Sequence, residues 1–155
     1  MFQSDLLKEK VILVTGGGTG LGRSMATRFL ELGAKVAIAS RKQDVLEKAA
    51  AEMIEQTGGE VFFTTCDVRD PDQVDKLMDA VWNHFGAIDV LVNNAAGNFA
   101  SPTENLSSRA VDAVLGIVLH GTFYCTLALG KRWIAAKRAG TVLNILATYA
   151  WTGSA

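Results

Sequence analysis

Five of the seven residues in Gly16-Gly17-Gly18-Thr19-Gly20-Leu21-Gly22 are glycine, and their setting gives them a chemistry. Val11-Ile12-Leu13-Val14 ahead of them reads as a buried strand, and Met25, Phe29, Leu30 and Leu32 behind them mark one apolar helix face. Glycines let a ligand come close to the backbone. The helix that follows offers free N–H groups and the positive end of its dipole, both suited to phosphate. The strict G-x-G-x-x-G spacing is absent; the run reads Thr15-Gly16-x-x-x-Gly20-x-Gly22. An overlapping string, Gly17-x-x-x-x-Gly22-Arg23-Ser24, matches the phosphate loop of nucleoside triphosphatases except that arginine stands for lysine. A planar guanidinium is a poor substitute for a compact ammonium over β- and γ-phosphates. The apolar segment 61–66 followed by Asp67 would give such an enzyme its magnesium-holding acid. On the loop alone, a dinucleotide, a nucleoside triphosphate and a plain tight turn all stay open.

Three further clusters bear on the choice. A second strand over 36–39 ends in Ser40-Arg41-Lys42, with no acid. Asp or Glu at that point would hold ribose hydroxyls, whereas arginine suits a 2′-phosphate. Arg41 is therefore the candidate for that phosphate, with Arg23 in the first turn of the preceding helix; a solvated basic pair is the plainer reading. Asp67-Val68, after a third strand over 61–65, suits hydrogen bonding and packing against adenine, or a helix cap ahead of Pro71. Asn93-Asn94-Ala95-Ala96-Gly97 follows a fourth strand over 88–92, with small residues that admit a nicotinamide ribose. This amide run has no role in a triphosphatase and shifts the balance to a dinucleotide.

The elements that must position these residues alternate regularly. Helical patterns run to Leu32, over 43–56, and from Pro71 with Val74, Leu77, Met78, Val81 and Trp82 inward. Ser107 opens a long apolar helix as its N-cap, and a fifth strand covers 141–146. Continuous apolar strands between helices predict an α/β fold: a doubly wound parallel sheet of Rossmann type, order 3-2-1-4-5, forming one domain over 1–155. The glycine turn, Asp67-Val68, 93–97 and Thr148-Tyr149 would then meet at the switch point between strands one and four. A formal charge of −1 offers no footprint for nucleic acid. Cys66 and Cys125 are the two cysteines, too few for a disulfide framework, and a cytoplasmic protein is expected. Residues 113–130 carry no formal charge, which reaches the lower length of a membrane span, but a core and interface helix is the expectation, with no membrane partner. His84 and His120 lack ligand-spaced companions, so no metal is expected.

Together, Thr15-Gly16-x-x-x-Gly20-x-Gly22, Cys66-Asp67-Val68 and the Asn-Asn-Ala run resemble the short-chain dehydrogenase/reductase family over essentially the whole chain. Within it, 93–99, Ser101-Pro102-Thr103-Glu104, Ile117-Val118-Leu119 and Thr148-Tyr149-Ala150-x-Thr152-Gly153-Ser154 resemble the NADPH-dependent 2,4-dienoyl-CoA reductases. The resemblance implies reduction of a conjugated dienoyl thioester to a 3-enoyl-CoA in unsaturated fatty acid breakdown. NADP(H) would be held by Gly16, Gly17, Gly18, Thr19, Gly20, Leu21, Gly22, Arg23, Ser40, Arg41, Asp67, Val68, Asn94, Ala95 and Ala96. Most members of the wider family carry asparagine where this chain has Val118, and serine near Ala147 or Thr148. These departures put ordinary carbonyl reduction in doubt. The subgroup implies Tyr149 as the catalytic residue, its phenol hydrogen-bonding the thioester carbonyl; a strand-end amphipathic residue is the plainer alternative. It also implies acyl-CoA contacts by Arg69, Phe99 and Ser107, against a surface arginine and a loop aromatic as the bland readings. A homotetramer is implied for the full-length protein. The family's lysine on the helix after the fifth strand would fall beyond Ala155, so the chain is expected to be an N-terminal portion with little or no turnover.

Overall fold

Five apolar or β-branched residues in succession, Val11–Thr15, form the central strand β1, buried along its whole length. Successive side chains of a strand point to opposite faces, and here both faces are covered. Leu13 joins a cluster with Val74, Leu77, Met78, Leu91, Cys125 and Leu129. Ile12 and Val14 join another with Ala26, Leu30, Leu46, Met53 and Val92. Full burial of each such Leu, Ile or Met contributes about 1.5–3 kcal/mol. The computed structural model describes residues 2–98 and 101–147.

Around β1 the sheet has the order β3-β2-β1-β4-β5, with β2 at Lys35–Ser40, β3 at Val61–Thr65, β4 at Val90–Asn93 and β5 at Thr141–Asn144. All four pairings are parallel. The expected order 3-2-1-4-5 is therefore the observed one. Strand ends move by a residue or two from those read in the sequence. β4 starts at Val90 rather than 88, and the Ile88 carbonyl there accepts the Trp133 indole N–H at 2.6 Å.

Helices α1 (Gly20–Glu31), α2 (Gln43–Thr57) and α3 (Pro71–Phe85) supply the crossovers. The cap of α3 is Asp70, whose Oδ1 accepts from Asp72 N at 3.0 Å and Gln73 N at 3.3 Å. Asp67 is thus released from capping. The long apolar segment is one helix by length but not by winding: α4 (Ser108–Leu115), a π-helical turn (Gly116–Gly121) and α5 (Thr122–Ala135). Ser107 Oγ caps α4, accepting from Ala110 N at 3.2 Å. At the end of the π turn, Gly121 lies so close to Val68 that a Cβ there would sit 2.6 Å from Val68 Cγ2.

Cys125, Ala128, Leu129 and Trp133 bury one strip of this helix. Val111, Leu115, Leu119, Phe123, Leu127 and Ile134 are exposed, so the sheet accounts for only part of its apolar surface. With a mean hydropathy of 1.7 in its most apolar stretch, 22% of it buried, Ser108–Ala135 is long and apolar enough to cross a membrane by length and composition.

Candidate functional site

The glycine turn is fastened to the end of β4 by one buried hydroxyl. Thr15, 1% exposed, donates from Oγ1 to Val92 O at 3.3 Å and accepts from Asn94 N at 3.1 Å and Ala95 N at 3.0 Å. Asn94 completes the clasp, donating from Nδ2 to Thr15 O at 3.0 Å and Gly16 O at 3.3 Å. Gly22 lets α1 start against this clasp: a Cβ there would lie 2.3 Å from Gly16 O and 2.5 Å from Asn94 Nδ2. Gly16 holds φ at +67°, a conformation few other residues adopt. Thr19 at the N-cap makes no side-chain cap hydrogen bond, and no acid occupies the first turn of α1. The first N–H groups of α1 therefore face the crevice ready for an anion.

A crevice of about 500 Å³ lies at this seam. Gly16, Thr19, Gly20, Leu21, Gly22, Ser40, Arg41, Asp67, Val68, Asn94, Ala95 and Ala96 line it, twelve positions brought together from four strand ends. Gly17, Gly18 and Arg23 stand outside it. Gly17 is pressed onto β2, where a Cβ would lie 2.6 Å from Ile38 Cγ2, and Gly18 faces Val45 of α2. Arg23 pairs with Glu52 of α2, with Nη2 2.7 Å from Oε2. Ser24 Oγ is spent on Gly20 O at 3.2 Å. The two side chains that would define a triphosphatase loop thus both point elsewhere.

Ala39, Lys42, Val45, Cys66 and Ile117 also line the crevice and were not among the candidates. Lys42 and Cys66 adjoin residues that were, and Ile117 belongs to a string already singled out, so adjacency was their only signal. The two asparagines divide their labour. Asn93, 5% exposed, points into the fold and donates to Thr126 Oγ1 at 3.1 Å and Asn144 Oδ1 at 2.9 Å. Only Asn94 reaches the crevice.

At the end of β3 the Arg69 guanidinium, hydrogen-bonded to Asp67, holds that carboxyl below its ordinary value, with the Arg41 charge adding to the effect. Burial pushes the Cys66 thiol up to about 11, and the Asp67 charge adds to it. Neither Arg69 nor Ser107 lines the crevice. Tyr149 and Phe99 lie outside the described residues. Among the described residues, no group of three or more His, Cys, Asp or Glu is placed to hold a metal ion.

The family described as short chain dehydrogenase matches residues 10–155. The chain belongs to that family. A probable 2,4-dienoyl-CoA reductase 3, (3E)-enoyl-CoA-producing, of Caenorhabditis elegans is 48% identical over 99% of this chain and 50% of its own length. A short chain dehydrogenase crystal structure from Bacillus anthracis superposes with a TM-score of 0.89 at 46% identity, over 96% of this chain and 61% of that one. An NAD+-bound xylitol dehydrogenase gives a TM-score of 0.89 at 32% identity, over 96% of this chain and 56% of that one. The chain spans about half the length of the curated relatives it matches. The sheet order and the helices around it are those of the Rossmann-type fold of that family.

Proposed function

We propose that this chain is the NADP(H)-binding portion of a reductase acting on 2,4-dienoyl-CoA thioesters. The observation that carries the cofactor choice is the end of β2: Ser40, Arg41 and Lys42 line the crevice where an NAD-binding unit would place an acid. The cradle fits such a group. Gly16 and Gly22 leave no room for a Cβ against Asn94 and the turn's own backbone, and the uncapped start of α1 offers N–H groups to a pyrophosphate. Arg41 then pairs with the 2′-phosphate, Asp67 accepts from the adenine amine, and Ala95 and Ala96 leave room for the nicotinamide ribose. When bound, NADPH supplies the hydride.

The substrate reading draws on the sequence strings shared with dienoyl-CoA reductases and on the relative named as one. Val118 stands where the family usually has asparagine and neither Ala147 nor Thr148 is its serine, and the subgroup resemblance gives the catalytic role to Tyr149. Its phenol would donate a hydrogen bond to the thioester carbonyl and stabilise the negative charge that develops on that oxygen during reduction. Phe99 would wall the acyl channel, and Ser107 would contact the acyl-CoA near the mouth of α4. The acyl-CoA substrate and a homotetrameric assembly belong to the full-length protein.

Calorimetric titration of the chain with NADPH and NADH tests the cofactor. A charge-assisted contact to the 2′-phosphate is worth about 1.5–3 kcal/mol, so NADPH should bind about tenfold or more tightly, and Arg41→Asp should abolish the difference. Equal affinities, or an unchanged preference in the Arg41→Asp variant, would overturn it. Steady-state NADPH oxidation by the full-length protein with a dienoyl-CoA against simple ketones tests the substrate; turnover of ketones alone would sink that part.

A further inference from the structure

Two residues apart after β3, Arg69 folds back onto Asp67 and occupies both carboxylate oxygens. Arg69 Nε donates to Oδ1 at 2.9 Å and to Oδ2 at 3.1 Å, Nη2 donates to Oδ2, and the Arg69 backbone N donates to Oδ1 at 3.1 Å. The fork fits a carboxylate in a way lysine does not. The arginine stem passes over Gly116 at the start of the π turn, where a Cβ would come into ordinary contact, 3.5 Å from Arg69 Cδ and 3.6 Å from Cγ. The Asp67 backbone is held from the other side: its N–H donates to Gln73 Oε1 at 3.0 Å, and Gln73 Nε2 donates to Asp70 Oδ2 at 2.8 Å. Asp67 lines the crevice and Arg69 does not.

We propose that Arg69 is a positioning residue of the crevice: bonded to both carboxylate oxygens, it fixes the orientation in which the Asp67 carboxylate accepts the amino group of a purine base. The inference rests on the reading of the crevice as an adenine-dinucleotide site. It differs from a direct contact between Arg69 and an anionic substrate, which would use the Nη1 donors, since Asp67 engages only Nε and Nη2. In the positioning role every effect of Arg69 on the cofactor passes through Asp67.

A double-mutant cycle separates the two roles. NADPH and its hypoxanthine analogue, which lacks the amino group, are titrated calorimetrically into the native chain, Arg69→Gln, Arg69→Lys, Asp67→Asn and the double variant. The native chain is expected to prefer the adenine form. Arg69→Gln should weaken NADPH about two- to fivefold, the range of a solvent-accessible ion pair, and erode the preference for adenine. Arg69→Lys should restore part of both, and Arg69→Gln should have no further effect in the Asp67→Asn background. An equal loss for both cofactors, or the same loss with and without Asp67, overturns the proposal. A native chain that binds no NADPH overturns the cofactor reading and this inference together, whereas native binding with an additive cycle sinks this inference alone.

Discussion

Replacing Thr15 by valine tests how the crevice is held together. The two side chains have nearly the same shape, and both suit a strand, so packing and propensity change little. What changes is the hydroxyl. Its loss strands two donors at once, the N–H groups of Asn94 and Ala95, while the Val92 carbonyl gives up one extra bond but stays in the β1–β4 ladder. A stranded buried group costs about 1–3 kcal/mol. Asn94 and Ala95 are only half-buried, so water recovers part of this, and a net loss of about 2–4 kcal/mol is expected. In a chain of this size that lowers Tm by about 5–15 °C. Thr15→Ser keeps the hydroxyl and gives up one buried methyl, about 1 kcal/mol. Urea unfolding followed by circular dichroism should therefore rank native above serine above valine. NADPH affinity should follow the same order, since the clasp sets the distance between the glycine turn and 94–96. A valine variant within about 0.5 kcal/mol of native, or less damaging than serine, would refute the claim that this hydroxyl fastens the seam.

Other consequences follow from the same geometry. Gly22→Ala forces a Cβ against Gly16 O and Asn94 Nδ2 and should cost about 1–3 kcal/mol together with most NADPH binding, whereas Gly130→Ala, with nothing within 4 Å, should stabilise α5 by about 0.5–1 kcal/mol; melting curves reversing that order would contradict the close approach at Gly22. Burial pushes Cys66 to about 11 and Cys125 to about 12, so a thiol-disulfide reagent at pH 8 should label neither in the native chain and both in urea; rapid native labelling would show the crevice floor to be open. Because Asp67 is held below its ordinary value, its share of stability is present above the usual carboxylate range. That share is lost as pH falls through the lower folded value, where the unfolded chain already binds the proton. Carboxyl NMR should show Asp67 titrating below 3.8 and Arg69→Gln moving it upward, and a native value at or above 3.8 would contradict the ion pair.

Much of this was legible in the chain because the informative signals are local. The apolar run 11–14, the glycine density after it and the helix face from Met25 to Leu32 place β1, the turn and α1 with no knowledge of partners. The strand order follows as directly, since parallel strands joined by right-handed crossovers leave few alternatives. The sequence is silent where a side chain's direction depends on a distant partner. Arg23 follows the glycine turn in sequence, but Gly22 faces the clasp, and the next residue lies about 100° round the helix, where α2 offers Glu52. The π turn was invisible for a different reason. Apolar spacing barely separates α from π winding, and the sequence hint was the pair Gly116 and Gly121, whose meaning appears only when Val68 and Arg69 are seen lying on them. The roles of Asn93 and Asn94 follow from strand alternation, which sends neighbours to opposite faces, one into the β4–β5 side of the core and one to the glycine turn.

This division places recognition and stability in the same bonds. The hydrogen bonds of Thr15 and Asn94 tie β1 to the end of β4, a link between segments nearly eighty residues apart, and the same bonds space the glycine turn from Ala95 and Ala96 across the crevice. A substitution that loosens the clasp therefore cannot weaken cofactor binding without also weakening the sheet. Arg41 and Asp67 are different. They reach the crevice from the ends of β2 and β3, and the strand pairing that holds β2 and β3 in place does not depend on their side chains. On the proposed cofactor reading, selectivity for the phosphate and the base can vary at those two positions while the seam stays intact.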